Sequence, residues 1–593
     1  MIRQFFILAL CYTFQLSLGQ NTFRHFDFLG AGHTMEVNVQ SSGSANATST
    51  VDGFAIQNTD QLNDASRFLA QSTFGGDMAT IQMVAAMGYE AWLTEQFTLP
   101  YVASTPIMNR MHQLYGEPEE EDEVGSAATW QQAFFQQVTK CPALLRMRMA
   151  FIWSQIMVIN NRSDLFEDFG IASSSYYDLM LSNSFTNYRS LIEDVTYSPT
   201  MGIFLSHLNN PKADPIQNIH PDENYAREIM QLFSIGLWKL NSDGSRLRDQ
   251  NNQFIPTYNN QDIKEFAQVF TGLGPGNPEG EFGGLNDEFG NETFQYPMKI
   301  YPSYHDDSEK NLLDGFSIPA GLSGEEDINR TLDHLSTHQN TAPFISKSLI
   351  RFLTTSNPSP AYVSRVASVF KPQEENNFEE VIKAILLDPE ARKKPNPEVY
   401  TFGKLKEPLV RFLHFFKILP ISANQNDDYL FEWDCLDQSF SQVPLFAPSV
   451  FNYFLPEYTP PGLIGQSYLE APEFQILNST NSIGFINELD KLTVRQLYFN
   501  ACVDEFFEEE PELLEEAESL EEDTYADYSR LLEKAYNPSE LLDYLNILLL
   551  HGALGDQSKA TITSAIQQLE EPKDRVRMAL YLIMISPDYA ILK

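Results

Sequence analysis

Along most of the chain after residue 60, hydrophobic residues are spaced with the 3.6-residue period of an amphipathic helix. The periodic stretches begin near Ser, Asp or Asn and are separated by glycine and proline, as helices usually are. Few stretches have a strand pattern, so we expect a mainly α fold, a large multi-helix body. The predicted helices are Asn63–Leu69, Thr80–Met87, Tyr89–Phe97, Thr129–Val158, Ser174–Val195, Asp327–Leu335, Ala342–Thr354, Ala361–Phe370, Phe378–Leu387, Lys406–Lys417 and most of Ser482–Lys593.

Two parts of the chain interrupt the helical pattern. The sequence NSDG at 241–244 is a turn signal between short extended pieces, and it predicts a short hairpin between residues 240 and 258. Asn260 then caps another predicted helix. Residues 274–324 are rich in Gly, Pro and Asn and predict a long loop, and loops of this length are often functional.

The first twenty residues have the parts of a signal peptide in their usual order. Arg3 supplies the positive start, residues 5–16 are mostly apolar, and the sequence SLG at 17–19 is a small-residue cleavage site. We therefore expect an exported protein, periplasmic or extracellular, with a signal peptide over residues 1–19. No later stretch approaches ~20 apolar residues in a row, so no membrane span is expected.

The mature chain divides by composition into two regions. Residues 20–60 are rich in Ser, Thr, Asn and Gly and predict a flexible leader. Residues 61–593 form the helical region, which is long enough for more than one core. If it has two lobes, we expect the break near 395–400 or 475–485.

The charge balance narrows the classes of partner. The chain has 39 Lys and Arg against 80 Asp and Glu, a net charge of −41. A field of this sign repels phosphate backbones and anionic lipids, which argues against nucleic acid as a partner. Dense acidic runs lie at Glu117–Glu123 and Glu505–Glu522. We interpret them as solvated faces, with cation binding as the alternative, although neither has the spacing of a calcium loop.

The number and spacing of the cysteines do not determine their role. Cys11 lies in the signal peptide, and Cys141, Cys435 and Cys502 remain in the mature chain. Three thiols allow one disulfide, and none is spaced as a CxxC motif. Cys141 precedes a proline at a predicted helix start, which would lower the pKa of its thiol.

Several segments together resemble one known family. The sequence HPDENYAREIMQLFSIGL at 220–237 resembles the signature of the bacterial family called domain of unknown function 1800 (DUF1800). Other segments match in the family's order, and the resemblance covers about Asn63 to Lys593. They are RFL at 67–69 with TFG at 73–75, RMAF at 148–151 with SQ at 154–155, YSPTMG at 197–202, FTG at 270–272, HD at 305–306 with Lys310, TSNPSPAYV at 355–363 and APSVFN at 447–452.

The resemblance implies more about fold and location than about chemistry. The family is exported, large and helical, and its biochemical role is unassigned. Its members are often encoded beside exported proteins related to sulfatases and phosphatases, which implies a partner of that kind. The acidic run at Glu505–Glu522 is less typical of the family and carries no family meaning.

The best candidate for chemistry is the segment from His220 to Glu228. Glu223 and Arg227 are four residues apart on one helix face, as are Asn224 and Glu228, opposite the apolar stripe. Either glutamate could be a metal ligand or general base, with Arg227 as an anion clamp. The alternative is a capped, ion-paired structural helix. The zinc motif HExxH is absent here.

A second candidate lies in the long loop. His305 and Asp306 could bind a divalent metal, with His220 and Glu223 completing the ligand shell. Alternatively, His305 only forms hydrogen bonds within the loop, and Lys310 pairs with Asp306.

Two functions remain open at this point. The sequence lacks a Gly-x-Ser-x-Gly elbow, a Walker loop and a dinucleotide fingerprint. The first hypothesis is a scaffold or accessory factor for an exported sulfatase- or phosphatase-like partner. The second is a metal-assisted hydrolase of an extracytoplasmic polymer or ester, which requires the His220 helix and the His305 loop to meet in one open pocket.

Overall fold

The structure is a computed structural model, and it describes only part of the chain. The described residues are 49–51, 54–56, 58–115, 127–161, 169–284, 293–393, 401–419, 421–422, 439, 441–494 and 525–593. The predicted signal peptide, most of the leader, both acidic runs, Cys435 and Cys502 lie outside them.

Helices dominate the described residues, which confirms the mainly α fold. The first half contains α1 (Thr59–Ser72), α2 (Met78–Met87), α3 (Tyr89–Thr98), α4 (Ser104–Tyr115), α5 (Ala127–Lys140), α6 (Leu144–Ile156), α7 (Gly170–Ser182), α8 (Tyr188–Tyr197), α9 (Pro199–Phe204), α10 (Asn224–Glu228) and α11 (Asn260–Val269). The second half contains α12 (Gly324–Thr337), α13 (Thr341–Leu353), α14 (Pro360–Val369), α15 (Asn377–Leu386), α16 (Pro389–Arg392), α17 (Pro408–Ile418), α18 (Leu463–Gln466), α19 (Ser479–Val494), α20 (Ser529–Leu532), α21 (Pro538–Leu550), α22 (Asp556–Ile566), α23 (Pro572–Met584) and α24 (Pro587–Ala590).

The strands of the described residues form only short antiparallel pairs. The pairs are β1 (Ser49–Val51) with β2 (Phe54–Ile56), β3 (Leu273–Gly274) with β4 (Lys299–Ile300), β5 (Lys310–Asn311) with β6 (Ser317–Ile318), β7 (Lys404–Leu405) with β10 (Ile591–Leu592), and β8 (Ile421–Ser422) with β9 (Tyr525–Ala526). Three of these pairs tie down loops between helices, and β7–β10 joins the end of the chain to its middle.

The helix starts follow from local sequence. Asn58 caps α1 by accepting a hydrogen bond from the Asp60 amide at 3.1 Å, so α1 starts before the predicted Asn63. Asn259 caps α11 in a reciprocal capping box with Asp262, one residue before the predicted cap. Other helices begin with proline after a Ser, Asp, Asn or Glu, where the missing N–H costs nothing.

Two predicted helical blocks each divide into two helices. The block Thr129–Val158 is interrupted between α5 and α6 at Cys141 and Pro142, since proline has no N–H to donate. Burial raises the pKa of the Cys141 thiol, the opposite of the direction predicted from a helix start. The block Ser174–Val195 is interrupted between α7 and α8, where Asn187 caps α8.

The predicted hairpin between residues 240 and 258 is present as a series of isolated bridges. Leu240 pairs with Arg246 around the predicted turn, in which the Gly244 amide donates to the Asn241 carbonyl at 2.9 Å. Further bridges join Arg248 to Phe254. The long loop is ordered by β3–β6 and three short 3-10 turns over its described residues.

One cluster of buried apolar side chains runs from Ala65 to Tyr589, so the first and last helices share a core. Of the two predicted breaks, 395–400 lies outside the described residues, and 475–485 contains the start of α19. A smaller apolar cluster, with Tyr453 and Phe454, lies beside the main one. None of the helices in the described ranges has both the length and the apolarity needed to cross a bilayer.

Candidate functional site

The segment from His220 to Glu223 leads into a short helix. His220 is exposed, and the Asp222 carboxylate accepts a hydrogen bond from the Asn224 amide at 2.8 Å. The helix α10 therefore begins at Asn224, three residues after Pro221. It continues from Ile229 to Ser234 as a π-helix, a form often found at functional sites.

Glu223 and Arg227 form the predicted ion pair at the surface. Their side chains lie 3.3 Å apart and are 38% and 41% exposed. Exposed pairs of this kind contribute only ~0–1 kcal/mol, since water screens both charges. Both groups therefore remain accessible to a ligand.

Glu228 lies on the buried side of the same helix, whereas the sequence predicted it opposite the apolar stripe. The helix α11 packs beside α10. Glu228 is only 5% exposed, and its Oε2 atom has no hydrogen-bond partner among the described residues. Burial raises the pKa of Glu228 to about 6, with the Arg227 charge acting in the opposite direction.

Tyr258 and Gln231 complete this site, which we call the Glu228 site. The Tyr258 hydroxyl donates to the Gln231 side-chain oxygen at 3.0 Å. Burial, and then the charge of Glu228, raise the pKa of Tyr258 to about 12. A carboxyl group that titrates near neutral pH beside a guanidinium can accept or donate a proton during a reaction.

His305 is buried in a hydrogen-bonded network of its own. Its Nδ1 atom lies 2.9 Å from the Thr271 carbonyl, and its Nε2 atom lies 3.2 Å from Asp327 Oδ2. Both ring nitrogens therefore face oxygen acceptors inside the protein. This geometry matches the alternative in which His305 serves as a hydrogen-bonding residue of the loop.

Lys310 and Asp327 form the charged centre of that network. They lie 2.6 Å apart and are almost fully buried. Burial alone would raise the pKa of Asp327, but hydrogen bonds from His305 and Lys310 lower it below its ordinary value. Lys310 also donates to the Asp306 backbone carbonyl at 2.6 Å, while the Asp306 carboxylate accepts from the Ser308 amide. The predicted pairing of Lys310 with Asp306 thus involves the backbone only.

The FTG segment at 270–272 holds the loop that contains His305 through hydrogen bonds and a close backbone contact. Thr271 supplies the carbonyl for His305, and its hydroxyl accepts from the Asp306 amide at 2.9 Å. Gly272 follows with a φ of +82°, and a β-carbon there would lie 2.9 Å from the His305 backbone nitrogen. Only glycine allows the two backbones to approach this closely.

The two predicted sites are neighbours joined by one segment. The Asn210 carbonyl accepts from the Gly272 amide at 2.8 Å, and its side chain accepts from the Asp222 amide at 2.9 Å. Even so, the part of the chain that is described contains no group of three or more His, Cys, Asp or Glu side chains placed to hold a metal ion. A metal role for His220, His305 and Asp306 stays a prediction.

The structure also contains a buried charged network that the sequence analysis missed. Glu407 is fully buried, with Arg148 at 3.7 Å. Its Oε2 atom accepts hydrogen bonds from Gln155 at 2.9 Å and from Gln442 at 2.7 Å. A second buried pair, Lys404 with Glu473, lies beside it at 2.9 Å.

Motif segments that are far apart in sequence meet at this network. Arg148 and Gln155 come from the segments at 148–151 and 154–155, and Asn452 donates to Gln155 at 3.0 Å. Burial lowers the pKa of Arg148, and the Glu407 charge opposes this. A sequence signal was present, because three charged residues, Lys404, Lys406 and Glu407, directly precede the mostly apolar helix α17.

One surface segment differs from the rest of the acidic chain. Residues 441–469, which we call the neutral loop, contain one charged residue, Glu457. Four large apolar side chains of this loop face solvent: Phe451 (42% exposed), Leu455 (44%), Leu463 (45%) and Tyr468 (93%).

The inner side of the neutral loop is firmly attached. Its buried side chains include Tyr453 and Phe454. The Asn161 amide donates to the Leu445 carbonyl at 3.1 Å, and the Leu455 amide donates to Gln475 at 2.7 Å. Glu457 forms an ion pair with Arg246 of the hairpin.

Comparison with known proteins identifies one family. The model of a family described as "Protein of unknown function (DUF1800)" matches residues 67–591. Comparisons with curated proteins and with solved structures give no match.

Replacing Asp327 by Asn should strongly destabilise the protein. The change leaves Lys310 buried without a counter-charge, a loss of about 3–5 kcal/mol in the free energy of unfolding. Urea denaturation measures it. Asp306→Asn is the control and should have little effect, because its carboxylate accepts hydrogen bonds only from nearby Ser308.

The ion pair of Lys310 with Asp327 also makes the stability of the protein depend on pH. Since the folded pKa of Asp327 is lowered, its contribution is present above the ordinary pKa of about 3.9 and is lost as the pH falls through the folded value. An Asp327→Asn protein that is as stable as the parent at pH 7 would show that the pair is dispensable.

Gly272→Ala should cost more stability than Gly321→Ala. Both glycines have positive φ, +82° and +87°, but a β-carbon at Gly321 meets no atom within 4 Å. The control change costs about 1–2 kcal/mol for backbone strain. At Gly272, crowding against His305 adds about 1–3 kcal/mol. Equal unfolding free energies for the two variants would contradict the close approach.

Proposed function

The chain belongs to the DUF1800 family of proteins of unknown function, and on this premise we propose that it is an exported helical scaffold or accessory factor. Its partner is an exported protein related to sulfatases and phosphatases. The observation that carries the proposal is the neutral loop, with its four exposed apolar side chains. The neighbouring genes of the family supply the class of partner.

The chemistry of the neutral loop suits a protein partner with an uncharged, apolar contact face. Large aromatic and aliphatic side chains supply most of the binding energy in protein interfaces. A chain with a net charge of −41 repels other acidic proteins over most of its surface. A region of 29 residues with one charge gives such a partner a place to bind without repulsion.

The attachment of the loop also supports binding. Because its inner side is buried and hydrogen-bonded to Asn161 and Gln475, the exposed side chains are held in place before a partner arrives. A surface that is already ordered loses less entropy on binding. The buried network of Arg148, Gln155 and Glu407 fits the same proposal, since Gln442 and Asn452 of the loop donate hydrogen bonds to it.

Binding should depend on the exposed side chains of the neutral loop. In a variant with Phe451→Ser, Leu463→Ser and Tyr468→Ser, we expect the partner's Kd to rise at least tenfold, or about 1.4 kcal/mol. The partner is first identified by mass spectrometry after co-purification from the native host. It is then titrated, as purified protein, against each variant by calorimetry.

The matched control removes exposed apolar side chains elsewhere. Ile216 is 96% exposed and Tyr536 is 77% exposed, so Ile216→Ser with Tyr536→Ser lowers surface apolarity to a similar degree. This control should bind as the parent does. Failure of any sulfatase- or phosphatase-related protein to co-purify, or equal affinity of the loop variant, would contradict the proposal.

A second function is favoured by the Glu228 site. We propose as the alternative that the protein is an extracytoplasmic hydrolase, with Glu228 as general base and Arg227 as anion clamp. It rests on the unpartnered Oε2 atom of Glu228 and on its pKa of about 6. The substrate class is an ester or a polymer, and any metal would have to be supplied with the substrate or bound elsewhere.

The hydrolase alternative predicts a specific pH profile. A general base must be deprotonated, so kcat/KM on ester and polysaccharide substrates should rise as the pH passes through about 6. Glu228→Gln should abolish this rise and lower the rate by about 10²–10⁴-fold. Glu223→Gln is the control and should keep the profile. Unchanged activity in Glu228→Gln would exclude this residue as the base.

A further inference from the structure

A group of basic side chains lies where the two ends of the described chain meet. We call Lys406, His414 and His551 the basic junction. His414 is on α17, Lys406 just precedes it, and His551 follows α21. Lys406 and His414 are buried, and His551 is half-buried with its Nε2 atom enclosed. The helix α21 packs with α1, in which Ser66 donates to the Ile547 carbonyl of α21 at 2.6 Å.

Hydrogen bonds define which nitrogen of each histidine carries the proton. The Ser66 hydroxyl donates to Ile547, so at 2.8 Å it accepts from His551 Nδ1. The Tyr589 hydroxyl donates to the Arg411 carbonyl at 2.8 Å, so it accepts from His414 Nδ1 at 3.3 Å. Both Nε2 atoms are therefore unprotonated, and neither has a hydrogen-bond partner in the described structure.

No acid balances this group. Among the residues that the structure describes, Lys406, His414 and His551 form no ion pair with a carboxylate, and Lys406 lies 3.6 Å from the centre of the Tyr589 ring. The other charged groups that act on them are also cationic: Arg411 of α17 acts on Lys406, and Arg67 of α1 acts on His551.

An acid of the adjoining helix acts on other residues. Asp64 of α1 interacts with Arg67 and Arg392, and it has no resolved effect on the basic junction. Tyr589 of α24, which stacks on His414, is neutral, because burial raises the pKa of its hydroxyl far above physiological pH. A proton added to either histidine would therefore meet other cations.

Packing leaves no room for the proton's usual partners. The Cδ2–Nε2 edge of His414 occupies the place that a β-carbon on Gly75 would need, and Gly75 has a φ of +102°. Among the described residues Nε2 of His414 has no hydrogen-bond partner, and the one acceptor besides Tyr589 that acts on this ring is the Leu548 backbone carbonyl. Leaving a buried charge unpaired is costly, so protonation requires the helices around it to separate.

We propose that the basic junction is an acid-sensitive contact, which holds α1 against α21 at neutral pH and releases it when the surroundings become acidic. The proposal does not depend on the function proposed above. Such a contact lets an exported chain loosen the packing between its two ends in an acidic compartment while the rest of the protein stays folded.

The direction of the pH effect follows from burial. Burial, and then the Lys406 charge, lower the pKa of both histidines well below 6.5. The closed junction keeps them neutral, while an open junction lets them bind protons below their ordinary pKa of about 6.5. The contribution of the two histidines to the stability of the contact is therefore full above that pH and is lost as the pH falls. One unit below 6.5, each histidine favours the open form about tenfold.

Hydrogen exchange of the full-length protein at pH 7.5 and 5.5 tests the proposal. Protection factors, which correct for the intrinsic pH dependence of exchange, should fall about a hundredfold in Thr59–Ser72 and Pro538–Leu550 at the lower pH. Helices α7 and α15, which contain no histidine, serve as internal references. His207 and His338 are also buried and His334 is half-buried, so only a location-resolved measurement separates their effects.

The variant His551→Asn separates the effect of protonating His551 from the effect of losing its hydrogen bond to Ser66. His551→Asn keeps a side-chain N–H for Ser66 and suits the left-handed backbone at this position, where φ is 56°. It should reduce the acid effect in α1 and α21 about tenfold, whereas His220→Asn, at an exposed position, should not. Equal protection of these helices at both pH values in the parent protein would overturn the proposal, even if the variant fails to fold.

Discussion

The structure depends on the pairing of charges that are buried inside a helical body. Glu407 is the clearest case: its carboxylate is fully enclosed, with Arg148 on one oxygen and two glutamines on the other. Removing one partner of such a group leaves an uncompensated charge in a medium of low dielectric constant. Because its partners come from segments as much as 252 positions apart, this one requirement fixes how the first and second halves of the helical region pack.

The need to pair buried charges explains why some motif residues hold the fold together and do not take part in function. Arg148 and His305 are both enclosed and paired within the protein, and each helps to position a loop rather than to contact solvent. Two other features take no part in such pairing. The neutral loop offers exposed aromatic and aliphatic groups at the surface, and the Glu228 site holds one buried carboxylate oxygen that has no hydrogen-bond partner among the described residues. The first supports association with a protein partner, and the second supports proton transfer.

Much of the fold could be predicted from the sequence, because helical periodicity and capping residues are local signals. The turn at 241–244 and the ion pair of Glu223 with Arg227 are also local, and both are present. The burial of Glu228 could not be predicted, since it depends on elements that pack beside α10. The pairing of Arg148 with Glu407 could not be predicted either, because no local pattern identifies this partner.

The central claim is that the neutral loop binds a sulfatase- or phosphatase-related partner, and site-specific photo-crosslinking in the native host tests it most directly. A photoreactive phenylalanine analogue is placed at Tyr468, which is 93% exposed, or at Tyr536, an aromatic position outside the loop that is 77% exposed. The account predicts that the analogue at position 468 crosslinks to that partner and that the one at position 536 does not. Crosslinks of equal yield from both positions, or none from position 468, would contradict it.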